Sequence, residues 1–182
     1  QGTVMANFAY QEGAKTAAVI TQLGDDYSSG LGSYFITSFK ELAGDGAIVS
    51  EEQFQTNQTD FKAILTNVKA ANPDVIFAPS SIATAPLIIK QARELGITAT
   101  IMAGDTWENS SIIENAGEYA EGVVLSTFYD EADPATDEAK SFVKGFKEYL
   151  KENKQSEIIP AVSALGYDAY IVALEAIKQA DS

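Results

Sequence analysis

The sequence contains no cysteine and no histidine among its 182 residues. Without cysteine the chain has no disulfide bonds and no thiol chemistry. Without histidine it lacks the Ser-His-Asp triad and the usual zinc ligands. The absence of cysteine is compatible with an extracytoplasmic protein.

Basic residues are also few, because 12 Lys and Arg stand against 26 Asp and Glu, which gives a net charge of −14. Nucleic acids and anionic membranes bind proteins largely through phosphate contacts, and this charge balance disfavours such contacts. The sequence also has no apolar run long enough to cross a membrane. We therefore expect neither a nucleic acid nor a membrane surface as a partner.

What the sequence does contain is an alternation of apolar β-branched segments with helical patterns, within a length that suits one domain. Thr59 is a candidate N-cap for one of the helices, and Asp133-Pro134 is a candidate start for another. Helices between successive strands favour right-handed crossovers and a parallel sheet covered on both faces. The sequence thus predicts an α/β fold, a doubly wound five-stranded parallel sheet in the order 2-1-3-4-5, with strands at residues 16–21, 47–54, 75–78, 100–103 and 122–128.

The most informative segment is IMAGDTWEN, residues 101–109, where a β-branched run breaks at a glycine. The carboxyl ends of parallel strands open onto the crevice in which ligands of such folds lie. Asp105 and Trp107 should therefore lie at a binding edge. A small ligand that carries a positive charge is the first hypothesis.

Both ends of the chain are more apolar than its middle. Residues 162–177 are almost continuously apolar, and residues 4–10 carry no charge. A helix that is apolar all round needs cover on every side. Two interpretations stay open: either both helices lie in the core of this chain, or the chain is part of something larger.

Several short motifs occur in an order that resembles a known family. They are Tyr27 after the first strand, TDF at 59–61, NPDVIF at 72–77, KQARELG at 90–96, AGD at 103–105, EG at 121–122 and GYDA at 166–169. Together they resemble the solute-binding proteins of ABC importers. Within that group they are most similar to the branched-chain amino-acid (Leu/Ile/Val) type of the type I periplasmic binding fold.

The resemblance implies two α/β lobes that close on an amino acid and deliver it to a membrane permease. It also implies an extracytoplasmic protein, either periplasmic or held outside the membrane by a lipid anchor. This chain resembles the second lobe. Residues 1–14 would be a crossing segment with an N-terminal helix, 15–158 the ligand-binding lobe, and 159–182 a second crossing with a helix that belongs to the other lobe. An isolated lobe of this kind is expected to self-associate through its terminal helices.

Four residues are candidates for the ligand site, and each has a structural alternative. The resemblance implies that Asp105 holds the α-ammonium group of the ligand, whereas an Asp here also suits the N-cap of the next helix. Tyr27 is either an aromatic wall or a surface ring over a helix start. Ser81 lies in a hydroxyl cluster with Ser80 and Thr84 that suits capping, where the best-known relatives carry a larger aromatic residue. Trp107 suits pocket lining and core packing equally.

Other functions fit the residues less well. A receiver domain needs a lysine after its fifth strand, which residues 128–133 lack, and no glycine pattern matches a phosphate-binding loop. No acidic residues recur at a spacing typical of metal ligands. We therefore expect a non-enzymatic protein without cofactor or metal. A ligand-sensing domain of a receptor or regulator with the same lobe is the alternative to an importer component.

Overall fold

The computed structural model describes residues 1–180, and these divide into two compact units, of which the first is Gln1–Ser126 and the second begins at Thr127. Each unit is described here by itself. The first contains the sheet and all four candidate site residues. The second consists of a loop region and two helices.

The sheet of the first unit has five parallel strands in the order β2-β1-β3-β4-β5, which confirms the predicted fold and strand order. The last strand is only two residues long, much shorter than the predicted 122–128. The strands are β1 (Ala17–Gln22), β2 (Ile48–Phe54), β3 (Val75–Phe77), β4 (Thr100–Ala103) and β5 (Val124–Leu125).

Helices of the first unit cover both faces of the sheet, and all but the first of them lie between successive strands. The third helix begins at Lys62, later than the predicted cap at Thr59, and Oδ1 of Asp60 accepts a hydrogen bond from the backbone N–H of Lys62 at 2.9 Å. The helices are α1 (Gly2–Gln11), α2 (Asp26–Ala43), α3 (Lys62–Ala71), α4 (Ala85–Glu94) and α5 (Ser110–Ala116), with 3₁₀ turns at Asp45–Ala47, Asp105–Trp107 and Gly117–Ala120.

Two apolar cores lie on opposite faces of the sheet because successive strand side chains alternate. On one face Ile20 and Ile76 pack with Leu65 of α3 and Ile88 of α4. On the other face the cover comes from α1 and α2, and the buried residues include Met5, Phe35, Val19 and Phe77. Burial on both faces explains why the central strands are almost continuously apolar.

The starts of β1 and β3 are joined by Asp74. Its Oδ2 accepts hydrogen bonds from the backbone N–H groups of Lys15 and Thr16 at 2.8 and 2.9 Å and from the Thr16 hydroxyl at 3.0 Å. These backbone donors, that of Lys15 first, lower the pKa of the Asp74 carboxyl. The contacts fix the two strands at the edge opposite their carboxyl ends.

The second unit contains α6 (Asp137–Glu152) and α7 (Ala161–Ala180). The hydroxyl of Thr136 accepts from the N–H of Ala139 at 3.1 Å, so α6 begins after the predicted start at Asp133-Pro134. The rings of Phe142 and Tyr167 lie 4.8 Å apart between centroids and join the helices. Many large apolar side chains of α7 are nevertheless exposed, namely Val162, Leu165, Tyr167, Tyr170, Val172 and Ile177. In residues 1–180 we find no helix with the length and hydrophobicity of a membrane span.

Candidate functional site

The turn from β1 into α2 holds Tyr27 at the carboxyl edge of the sheet. Gly24 has a φ of +74°, a left-handed conformation that glycine adopts at little cost and that reverses the chain sharply after the strand. Asp25 caps the helix by accepting from the N–H groups of Tyr27 and Ser28 at 2.9 and 3.1 Å. The buried hydroxyl of Ser28 in turn accepts from the N–H of Gln22 at 2.8 Å. Tyr27 is therefore fixed in the first turn of α2.

Asp105 follows β4 at the same edge and is paired with Tyr27. The phenolic hydroxyl of Tyr27 donates to Oδ1 of Asp105 at 2.7 Å. The helix that follows, α5, is capped by Asn109, whose side chain accepts from the N–H of Ser111 at 2.9 Å. The N-cap role considered for Asp105 in that helix is thus filled by another residue.

The environment keeps Tyr27 protonated and able to donate. Burial of the phenol raises the pKa of Tyr27 to about 12, the polar groups of Thr106 oppose part of this rise, and the hydrogen bond to Asp105 adds to it. The N–H and hydroxyl of Thr106 both lie 3.5 Å from the Tyr27 oxygen. A carboxylate has about four acceptor positions, so the single bond from Tyr27 leaves Asp105 with capacity for a cationic donor.

Gln1 ties a distant part of the chain to this edge. Its Oε1 accepts from the N–H of Asp105 at 3.2 Å and from the hydroxyl of Ser126 at 3.2 Å. The beginning of the chain, the turn after β4 and the end of β5 therefore meet at one side-chain amide. Sequence analysis missed Gln1 because the contacts span 104 and 125 positions and have no local signal.

The predicted site residue Ser81 lies in a cluster of hydroxyl groups after β3. Its Oγ is 3.3 Å from the Thr84 hydroxyl, which also lies 3.1 Å from the hydroxyl of the buried Ser80. Ser81 itself is half-buried. The cluster presents polar groups at the end of the strand that runs between β1 and β4.

Trp107 lies inside the core rather than at an open surface, with only 2% of its area exposed. Its indole N–H donates to the backbone oxygen of Ser80 at 3.0 Å, and the Thr106 hydroxyl donates to the same oxygen at 3.0 Å. Both bonds join the turn after β4 to the end of β3. The visible role of Trp107 is thus to support the site, and its direct contact with a ligand stays a prediction.

The structure brings Tyr27, Asp105, Thr106 and Ser80 into one connected hydrogen-bond network at the carboxyl edge, in which the Thr106 N–H faces Tyr27 and the Thr106 hydroxyl donates to Ser80. Thr106 was missed by sequence analysis, although it stands between two predicted residues. The network combines a fixed carboxylate, a phenol and hydroxyl groups, which suits recognition of a small cationic or ammonium-bearing ligand. Within residues 1–180, no group of three or more acidic residues is arranged to hold a metal ion.

The chain belongs to the periplasmic binding protein family, whose model matches residues 1–182. Among curated proteins it is 24% identical over 149 residues to the Leu/Ile/Val-binding protein homolog 1 of Brucella abortus (strain 2308), a match that covers 81% of this chain and 39% of that protein.

Two solved structures are also similar. A leucine-binding protein of Thermotoga maritima MSB8 is 40% identical with a TM-score of 0.90, and the match covers 100% of this chain and 50% of that one. A branched-chain amino-acid transporter substrate-binding protein of Streptococcus pneumoniae, solved in complex with isoleucine, is 28% identical with a TM-score of 0.75, covering 93% of this chain and 46% of that one. The chain therefore spans half or less of the length of these relatives, and its fold is that of one lobe of a periplasmic binding protein.

Proposed function

We propose that this chain is a ligand-binding lobe of an extracytoplasmic substrate-binding protein that captures an amino acid, branched-chain or related, and delivers it to the permease of an ABC importer. The observation that carries the proposal is the Tyr27–Asp105 pair at the carboxyl edge of the sheet. The family, the leucine-binding protein of Thermotoga and the isoleucine complex of the Streptococcus protein support the substrate class.

In this proposal Asp105 binds the α-ammonium group of the amino acid. A charge-assisted hydrogen bond of this kind contributes about 1.5–3 kcal/mol. Tyr27 holds the Asp105 carboxylate in place through its hydroxyl and forms a wall of the pocket with its ring. Ser81 offers a small hydroxyl beside the ligand, and Trp107 supports that strand end from within the core.

We propose further that the ligand carboxylate is bound by a second lobe outside this chain. Capture then proceeds by closure of two lobes, with the ligand favouring the closed state. Residues 1–14 and 159–182 would be the crossing segments with their helices, and 15–158 the lobe itself, residues 181 and 182 lying outside the described part. The exposed apolar side chains of α7 support the assignment of that helix to a surface that needs cover.

A thermal-shift screen of the two-lobed protein against the amino acids tests the proposal. A ligand at 100 times its dissociation constant should stabilise the protein by about 2.7 kcal/mol. The matched control for leucine is 4-methylpentanoate, which keeps the side chain and carboxylate but has no ammonium group for Asp105. We expect leucine, isoleucine or valine to raise the melting temperature and the control to have little effect. A protein that no amino acid stabilises, or that both compounds stabilise equally, would contradict the proposal.

A further inference from the structure

Gly104 directly precedes Asp105 and lies where the Tyr27 hydroxyl approaches the backbone most closely. Its φ is −93° and its ψ is −171°, an extended conformation open to every residue type, so the backbone conformation does not require glycine. The requirement comes from the side chains that lie close to its Cα. A Cβ on Gly104 would collide with the Tyr27 hydroxyl oxygen, and it would lie 3.0 Å from both Oε1 of Gln1 and Cδ1 of Leu31.

We propose that Gly104 is a positioning residue for the site, because the absence of its side chain creates the space in which the Tyr27 hydroxyl reaches Asp105. An alanine at this position would occupy the space of the phenolic oxygen itself. The part of this inference that concerns ligand affinity rests on the proposed function. The part that concerns Tyr27 does not.

The substitution of Gly104 by alanine should disturb the Tyr27–Asp105 pair rather than the fold. The colliding atom is the far end of a side chain and not a backbone atom, so we expect the Tyr27 ring to move and the sheet to stay in place. The Gln1 and Leu31 atoms are also side-chain ends and need to move by only a few tenths of an ångström. The expected result is a folded protein in which Tyr27 no longer donates to Asp105.

The experiment uses the chain with its eight tyrosines labelled with ¹³C at Cζ. The Tyr27 signal is assigned by its absence from Tyr27→Phe. In Gly104→Ala we expect this signal to move toward that of an exposed tyrosine. We also expect the pKa of Tyr27 to fall from about 12 toward the ordinary 10. Gly30→Ala is the matched control, because it lies in the same helix as Tyr27 and its added Cβ meets no atom within 4 Å. The control should leave the Tyr27 signal unchanged.

A double-mutant cycle separates crowding by the hydroxyl from a general structural effect. Removing the hydroxyl in Tyr27→Phe removes the colliding atom, so Gly104→Ala should lower the unfolding midpoint less in that background than in the wild type. If Gly104→Ala alone fails to fold and the double variant folds, the proposal is supported in the same way. An unchanged Tyr27 signal and pKa, or an equal loss of stability in both backgrounds, would overturn it.

In the two-lobed protein, Gly104→Ala should lower amino-acid affinity about tenfold, as expected for loss of a hydrogen bond that orients a charged group. In the Tyr27→Phe background the further loss should be small. If the protein binds no amino acid, the proposed function fails, while the tyrosine measurements still decide the role of Gly104. Equal losses of affinity in both backgrounds would count against positioning through Tyr27.

Discussion

The hydroxyl of Tyr27 and the carboxylate of Asp105 are joined by a 2.7 Å hydrogen bond, although the two residues follow strands that are not neighbours in the sheet. Tyr27 follows β1 and Asp105 follows β4, and in the sheet β3 lies between them. The pair is 78 positions apart in sequence. It forms because parallel strands with same-handed crossovers bring all their carboxyl ends to one edge.

Asp105→Asn keeps the size of the side chain and removes its charge. In the two-lobed protein the affinity for an amino acid should fall by about 1.5–3 kcal/mol, roughly ten- to a hundredfold or slightly more, because the ammonium group loses its counter-charge. Isothermal titration calorimetry measures the change. Asp26→Asn removes one charge from the same helix start as Tyr27 at an exposed position and serves as the control. A folded Asp105→Asn protein with wild-type affinity would show that Asp105 does not bind the ammonium group and that the ligand site lies elsewhere.

Tyr27→Phe should reduce affinity less than Asp105→Asn, because the ring remains and only the hydroxyl is lost. The substitution should also change stability at high pH. The folded pKa of Tyr27 is raised to about 12 from 10.0, so its contribution to stability is complete below pH 10 and is lost as the pH rises toward 12. The difference in unfolding free energy between wild type and Tyr27→Phe should therefore shrink between pH 10 and 12. A difference that stays constant over this window would show that the phenol does not titrate as the structure indicates.

Asp74→Asn tests the bonds that join the starts of β1 and β3. The carboxyl pKa is lowered in the folded state, so its contribution to stability is present above the ordinary value of 3.8 and is lost as the pH falls through the folded pKa. We expect the substitution to destabilise the chain by about 1 kcal/mol at pH 7, since an exposed charged acceptor loses part of its bonding, and by almost nothing at strongly acid pH. Urea unfolding across pH gives the comparison, with the exposed Asp45→Asn as control. An equal effect at all pH values would argue against the carboxylate as the cause.

The 182-residue chain by itself should self-associate through the exposed apolar side chains of α7, because monomers rarely expose apolar patches beyond a few hundred Å². The net charge of −14 opposes contact between copies, so association should increase with ionic strength. Light scattering over a range of concentration and salt measures it. Val172→Lys should weaken association, whereas Gln155→Lys adds the same charge at an exposed polar position and should matter less. A compact monomer at high concentration and high salt would contradict this prediction.

Periodicity predicted the alternation of strands and helices, and the order 2-1-3-4-5 is one of the common orders for such a sheet. The shared edge of Tyr27 and Asp105 was predictable because it depends only on each residue following a parallel strand. Local boundaries were less predictable. α3 starts after Thr59 because the backbone oxygen of Thr59 accepts from Gln91 at 2.8 Å, a tertiary contact that no local pattern contains. β5 is shorter than its apolar run because strand length depends on the pairing partner. Gln1 and Gly104 act through contacts with residues distant in sequence, so their roles could be recognised only in the structure.

The burial of Trp107 gives the first unit a built-in optical reporter. It is the only tryptophan of the sequence, it lies in the core of residues 1–126, and its indole is bonded to the strand end that carries the hydroxyl cluster. Emission from this indole should shift to longer wavelength when the sheet unfolds, and the second unit has no tryptophan, so the emission reports on the first unit alone. Helical circular dichroism reports on both units, because each of them contains helices. Coincident transitions would show that they unfold as one cooperative body, and separate transitions would show that each melts independently.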